Sequence, residues 1–113
     1  MRVEEKMMDA VTGLSGSGPA YLFYLVEAMV EAGVAEGFTR EQAAALAART
    51  VLGAAQMLEE TGLPPEELRR RVTSPNGTTH AAIERLDAEQ VKAKITAAVR
   101  RAAERSRELG RGQ

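Results

Sequence analysis

Three hydroxyls, a proline, an asparagine and a glycine fall within six residues at Ser74-Pro75-Asn76-Gly77-Thr78-Thr79. That mixture suits an anion. A residue before proline is pushed out of the helical region, proline fixes its own φ, and asparagine and glycine both accept left-handed geometry, so the chain must reverse there. The residues beyond it, Ala81, Ala82, Ile83 and Leu86, have helical spacing. Backbone N–H groups in the first turn of a helix lack intrahelical partners, so those of Thr78 to His80 point at the turn and could receive a carboxylate or a phosphate. Ser, Thr and Asn are also ordinary helix caps, and a cap would read identically in the sequence.

The other candidate residues carry less chemistry. His80 and Glu84 stand four apart, but one histidine and one carboxylate fall short of a three-ligand catalytic metal site, so no metal is expected. His80 could act as a base near neutral pH, while a surface or capping histidine is the commoner role. Gly16-Ser17-Gly18-Pro19 lies between helices rather than after a strand, which excludes a dinucleotide-binding turn in these residues and leaves a plain interhelical turn. Arg69-Arg70-Arg71 and the arginines near the C-terminus read as solvated helix faces. The net charge of −1 and the lack of interleaved aromatics argue against nucleic acid. Asn76-Gly77-Thr78 matches a glycosylation sequon, but the first residues show no apolar stretch of the secretory kind, and a cytoplasmic setting is expected.

The elements that must position these residues are helices. Apolar residues recur at helical spacing, alanine is abundant, and no alternating run suggests a strand, so residues 1–113 read as one all-α domain. A short helix is expected over Glu4 to Val11, then a flexible Gly13-Leu14-Ser15-Gly16-Ser17-Gly18 segment. Pro19 opens a long helix that Gly37 stops. Thr39 with Gln42 three residues on predicts a capping box and a helix to about Glu60, closed by Gly62. Pro64-Pro65-Glu66-Glu67 places proline and acids at the start of a short helix through Val72. Asp87 is expected to cap the last helix, with Gln90 at its third position, and Val91, Ile95, Ala98, Ala102 and Leu109 to form its buried stripe.

The helix after Pro19 is apolar all round from Ala20 to Val30 except at Glu27, and a helix of that kind must be surrounded. The run is about half of the ~20 residues that cross a bilayer, so no membrane span is expected. A chain of 113 residues should bury roughly two thirds of its unfolded surface, yet so few short helices in one protomer could not easily wrap this one. Two interleaved protomers could, which predicts a helix-intertwined homodimer. The absence of cysteine excludes disulfides and thiolate chemistry.

Two segments together, Asp9-Ala10-Val11-Thr12-Gly13-Leu14-Ser15-Gly16-Ser17-Gly18-Pro19-Ala20-Tyr21 and Leu68 through Leu86, resemble pyrroline-5-carboxylate reductase. The likeness runs from about Val3 to Leu109 and includes Leu52-Gly53-Ala54-Ala55. It corresponds to the family's helical C-terminal dimerisation domain, similar to the C-terminal domain of 6-phosphogluconate dehydrogenase. The N-terminal Rossmann domain is not in this sequence. The resemblance implies reduction of 1-pyrroline-5-carboxylate to L-proline with NADPH or NADH in the full-length enzyme, as the last step of proline biosynthesis, and an inactive fragment. It implies that Ser74, Gly77, Thr78 and Thr79 hold the substrate carboxylate and that the Thr79 hydroxyl meets the ring nitrogen. It further implies that Gly16, Ser17, Gly18 and Pro19 lie near the nicotinamide, and that dimers can join into larger rings. Where many members have a second glycine, this chain has Asn76. A free-standing helical oligomerisation module without catalysis is the alternative.

Overall fold

The computed structural model describes residues 2–112, and among them it contains helices and turns and no strand. A 3₁₀ turn, Glu5–Met7, leads into α1, Met8–Val11, followed by α2, Gly18–Ala35, α3, Arg40–Thr61, α4, Pro65–Arg71, α5, Thr78–Ala88, and α6, Val91–Gly110. The all-α expectation holds. The starts and stops follow local chemistry. Thr39 Oγ1 accepts the Gln42 N–H at 3.1 Å while Gln42 Oε1 accepts the Thr39 N–H at 3.0 Å, the reciprocal capping box that opens α3. Gly62 ends that helix at φ 64°, a left-handed conformation that costs glycine nothing. Pro65 stands at the first position of α4, where a missing N–H is not missed.

The described residues form two compact units. The first combines the residues up to Phe23 with those from Leu86 onward, and the second is Tyr24–Arg85. In the first unit, α6 lies against α1 and the segment that follows α1. That segment, Thr12–Gly16, is a turn of π-helix rather than the flexible linker its glycines suggested. Two hydrogen bonds hold it, and a third ties the preceding α1 to α6. Ser17 N–H donates to the Thr12 carbonyl at 2.8 Å, the Tyr21 hydroxyl donates to the Gly13 carbonyl at 2.6 Å, and Ser106 Oγ donates to Asp9 Oδ1 at 2.7 Å. The glycine at 13 is spent on close packing instead of flexibility. A Cβ there would sit 2.8 Å from both the Ala103 nitrogen and the Val99 oxygen, backbone atoms of a helix that cannot step aside. Gly13→Ala should therefore lower stability by about 1–3 kcal/mol, the usual range for overpacking, and chemical denaturation would measure it.

The second unit has a small core. Val30 of α2 packs with Ala43 and Ala47 of α3, flanked by Val26 and Met29. Gly33 permits the approach, since a Cβ there would lie 2.8 Å from that of Ala43. Before the turn, α4 is tied down by Glu67, whose carboxylate accepts Arg70 Nε at 2.9 Å and Arg71 Nε at 3.3 Å. Hydrogen bonds from the Arg70 guanidinium hold the Glu67 carboxyl well below its ordinary 4.5, at about 2, with Arg71 adding to the effect. A depressed carboxyl stabilises the fold above its ordinary value and loses that contribution as pH falls from about 4.5 toward about 2. A carboxyl titration by NMR should place the Glu67 midpoint near 2, and Arg70→Gln should move it back toward 4.5. The effect on global stability should be small, because the pair is exposed.

Three expectations need correction. Asp87 does not cap the last helix: it lies inside α5, and the break falls at Gln90, whose φ of 55° and backbone bond to the Asp87 carbonyl turn the chain without a side-chain cap. The stripe at 91, 95, 98, 102 and 109 is covered only in part, at Val91 and Ala102, and the buried position of α6 falls beside it. Ala103 is buried, with Val99, Ala102 and Ser106 partly covered, because the close approach of Gly13 selects that side, while Ile95 and Leu109 remain 55% and 60% exposed. The third concerns burial. Accessible surface is 9262 Å², against the ~6,000 Å² of a folded monomer of this mass, so the single chain buries about half of its unfolded surface and not two thirds. As expected of a helix that one protomer could not wrap, α2 is not surrounded by its own chain. Only Val30 of α2 is buried, and Phe23 and Tyr24 are 67% and 77% exposed.

Candidate functional site

The turn between α4 and α5 is built from the backbone outward. Thr73 Oγ1 donates to the Arg69 carbonyl and closes the end of α4. Gly77 N–H donates to the Ser74 carbonyl at 3.0 Å, making a tight reversal across Pro75 and Asn76. Of the two residues able to take left-handed geometry, Asn76 does so, at φ 61°, and Gly77 does not. The absent side chain of Gly77 matters for space instead, because a Cβ would stand 3.2 Å from the Ser74 oxygen. Ala81 N–H donates to the Gly77 carbonyl at 3.1 Å, so Gly77 is the residue from which α5 launches.

The consequence is a set of unused donors. The backbone N–H groups of Thr78, Thr79 and His80 have no hydrogen-bond partner among the described residues. Neither do the hydroxyls of Ser74, Thr78 and Thr79. Elsewhere in the chain Thr12, Ser15, Thr50, Thr61, Thr73 and Thr96 each turn the hydroxyl back onto the carbonyl four residues earlier. Exposure alone does not explain the difference, because those bonded hydroxyls are exposed too. At the turn, no Ser, Thr or Asn side chain caps α5, although these are the residue types that do so. Thr79 and Gly77 are partly covered, and Ser74 and Thr78 are open.

What the residue types did not disclose is how Asn76 is held. Its N–H donates to His80 Nδ1 at 2.7 Å, while His80 Nε2 lies 2.9 Å from Glu84 Oε1. The only available signal was the four-residue spacing between Asn76 and His80. No group of three or more His, Asp or Glu side chains able to hold a metal occurs among the described residues, and His80 and Glu84 are engaged with each other. Gly16, Ser17, Gly18 and Pro19 form the exit of the π turn and the first turn of α2, in the other unit from Ser74 to Thr79. Two hollows in the first unit, one lined by Asp87, Gln90, Lys92, Ala93 and Thr96 and the other by Ala10, Val99, Arg100, Ala103, Glu104 and Arg107, include none of the candidate residues.

The model of the pyrroline-5-carboxylate reductase dimerisation family matches residues 5–109. The chain belongs to that family. It is 54% identical over 111 residues to pyrroline-5-carboxylate reductase of Methanosarcina acetivorans, covering 98% of this chain and 41% of that protein. It is 53% identical over 109 residues to the enzyme of Arabidopsis thaliana, covering 96% and 40%. Among solved structures, the Plasmodium falciparum reductase with NADP bound superposes with a TM-score of 0.92 at 33% identity, over 97% of this chain and 42% of that one. The Coxiella burnetii reductase gives a TM-score of 0.90 at 42% identity, over 96% and 40%. The chain thus spans about two fifths of the length of the reductases it matches. No helix among the described residues is long and apolar enough to cross a membrane.

Proposed function

We propose that this chain is the dimerisation and substrate-binding part of a reductase that converts 1-pyrroline-5-carboxylate to L-proline. The observation that carries the reading is the row of donors at Thr78, Thr79 and His80 that are unbonded among the described residues, flanked by three hydroxyls likewise without partners there, in a chain of this family. A carboxylate is planar and needs two or more donors from one side, which consecutive N–H groups at a helix start supply along with a favourable dipole. Ser74 and Thr78 would complete the cradle, and Gly77 keeps its floor free of a side chain. With the carboxylate fixed, Thr79 Oγ1 is the hydroxyl left to meet the ring nitrogen, where it would orient the imine and share the proton that accompanies reduction.

The described residues contain no strand and no phosphate-binding turn between a strand and a helix, so they do not fit a nicotinamide dinucleotide by themselves. The hydride belongs to NADPH or NADH held by a Rossmann domain outside these 113 residues. Gly16 to Pro19, at the mouth of α2, would line the nicotinamide side. The surface excess of the single chain and the exposed Leu22, Phe23, Tyr24 and Leu25 favour a homodimer, in which a second copy covers α2. Assembly of dimers into a ring is compatible with this arrangement.

The test compares two proteins. The 113-residue chain should be a dimer in sedimentation and should show no turnover with 1-pyrroline-5-carboxylate and reduced nicotinamide, whereas the full-length protein should oxidise the nicotinamide and form proline. A well-folded full-length dimer without turnover would favour the alternative of a helical oligomerisation module, and turnover by the short chain would refute the division of labour.

A further inference from the structure

We propose that His80 is a positioning residue for the substrate turn, acting through Asn76; this rests on the reading of the turn as the carboxylate site. At the start of α5, Gly77 gives the first helical carbonyl, so Thr78, Thr79 and His80 occupy the first three helical positions. A side chain at the third position ordinarily reaches back to the N–H of the cap residue itself. Here that side chain is an imidazole, and the N–H it serves is that of Asn76, one residue before the cap. The brace therefore consumes none of the donors of Thr78, Thr79 or His80. A serine or aspartate cap would have turned one of them inward.

The arrangement also fixes the state of the ring. Nδ1 receives a proton donor at 2.7 Å and so carries no hydrogen, while Nε2 faces a carboxylate oxygen at 2.9 Å and carries one. One nitrogen accepts and the other donates, which only the neutral Nε2–H tautomer can do. Glu84 selects that tautomer from one turn further along α5, a carboxylate, histidine and backbone relay that ends at the residue with φ 61°. Left-handed geometry is uncommon for a residue with a side chain, and a hydrogen bond to its own N–H offsets part of that cost. Asn76 sets the direction of Gly77 and hence of the donors that follow.

The test uses the full-length protein and steady-state kinetics with 1-pyrroline-5-carboxylate. His80→Ala should raise KM for this substrate about tenfold, the size of one hydrogen bond that holds a binding group in place, and leave kcat within about twofold. His80→Asn, whose Oδ1 can stand where Nδ1 stands and accept the same N–H, should recover most of the lost affinity. His80→Leu, which fills similar space without an acceptor, should not. Nitrogen NMR of the wild type should show a hydrogen on Nε2 and none on Nδ1. An unchanged KM in a folded His80→Ala dimer would overturn the proposal, as would equal behaviour of the Asn and Leu variants or a hydrogen found on Nδ1. Absence of turnover in the wild type would instead defeat the reductase reading, so the two failures are distinguishable.

Discussion

Replacing Thr79 by alanine in the full-length protein should lower kcat/KM by about 100-fold while unfolding free energy changes by less than ~1 kcal/mol. The first figure is the lower end of what a positioned proton-sharing group contributes, and the second is the typical cost of a lost cap. The structure separates the two roles because the Thr79 hydroxyl has no partner among the described residues, so its removal breaks no bond among them. A capping threonine would behave oppositely, losing stability and activity together. Nicotinamide oxidation paired with denaturant titration measures both quantities on the same sample. Equal losses in the two would return Thr79 to a structural role and remove the reacting-group assignment.

Substituting Phe23 by aspartate should convert the dimer to monomers at micromolar concentration. Phe23 is 67% exposed in the single chain, between Leu22 and Tyr24 on the helix that a second copy is proposed to cover. Burying a phenylalanine is worth about 1.5–3 kcal/mol, and a two-fold interface counts it twice, before any cost of bringing a carboxylate into an apolar contact. The change removes no contact within the core of Val30, Ala43 and Ala47, so any loss of helix content should follow from dissociation. Sedimentation over a dilution series would resolve it. A variant that stays dimeric would show that the second copy lies elsewhere.

Much of the helical framework was open to reading in the amino-acid sequence because its signals are local. The Thr39 and Gln42 box, the Gly62 stop and the Pro65 start each act within one helical turn, where short-range sterics and hydrogen bonds decide the outcome. The reversal at Ser74 to Gly77 was legible for the same reason, as were the orphan N–H groups beyond it, which follow from any helix beginning there. Family membership was legible too, since two long segments bear the resemblance.

Only the tertiary structure decided which glycine does what and which face is covered. Glycine is compatible with flexibility and with close packing alike, and the choice at Gly13 depends on Val99 and Ala103, nearly ninety residues away in sequence. The covered side of α6 turned on that same approach, against the pattern of its apolar stripe, whose Ile95 and Leu109 stay exposed in one chain. Asp87 looked like a cap because residue type cannot tell a first helical turn from a last one. The link from His80 to Asn76 needed the actual path of the turn, since a hydrogen bond depends on direction and distance that spacing alone does not supply.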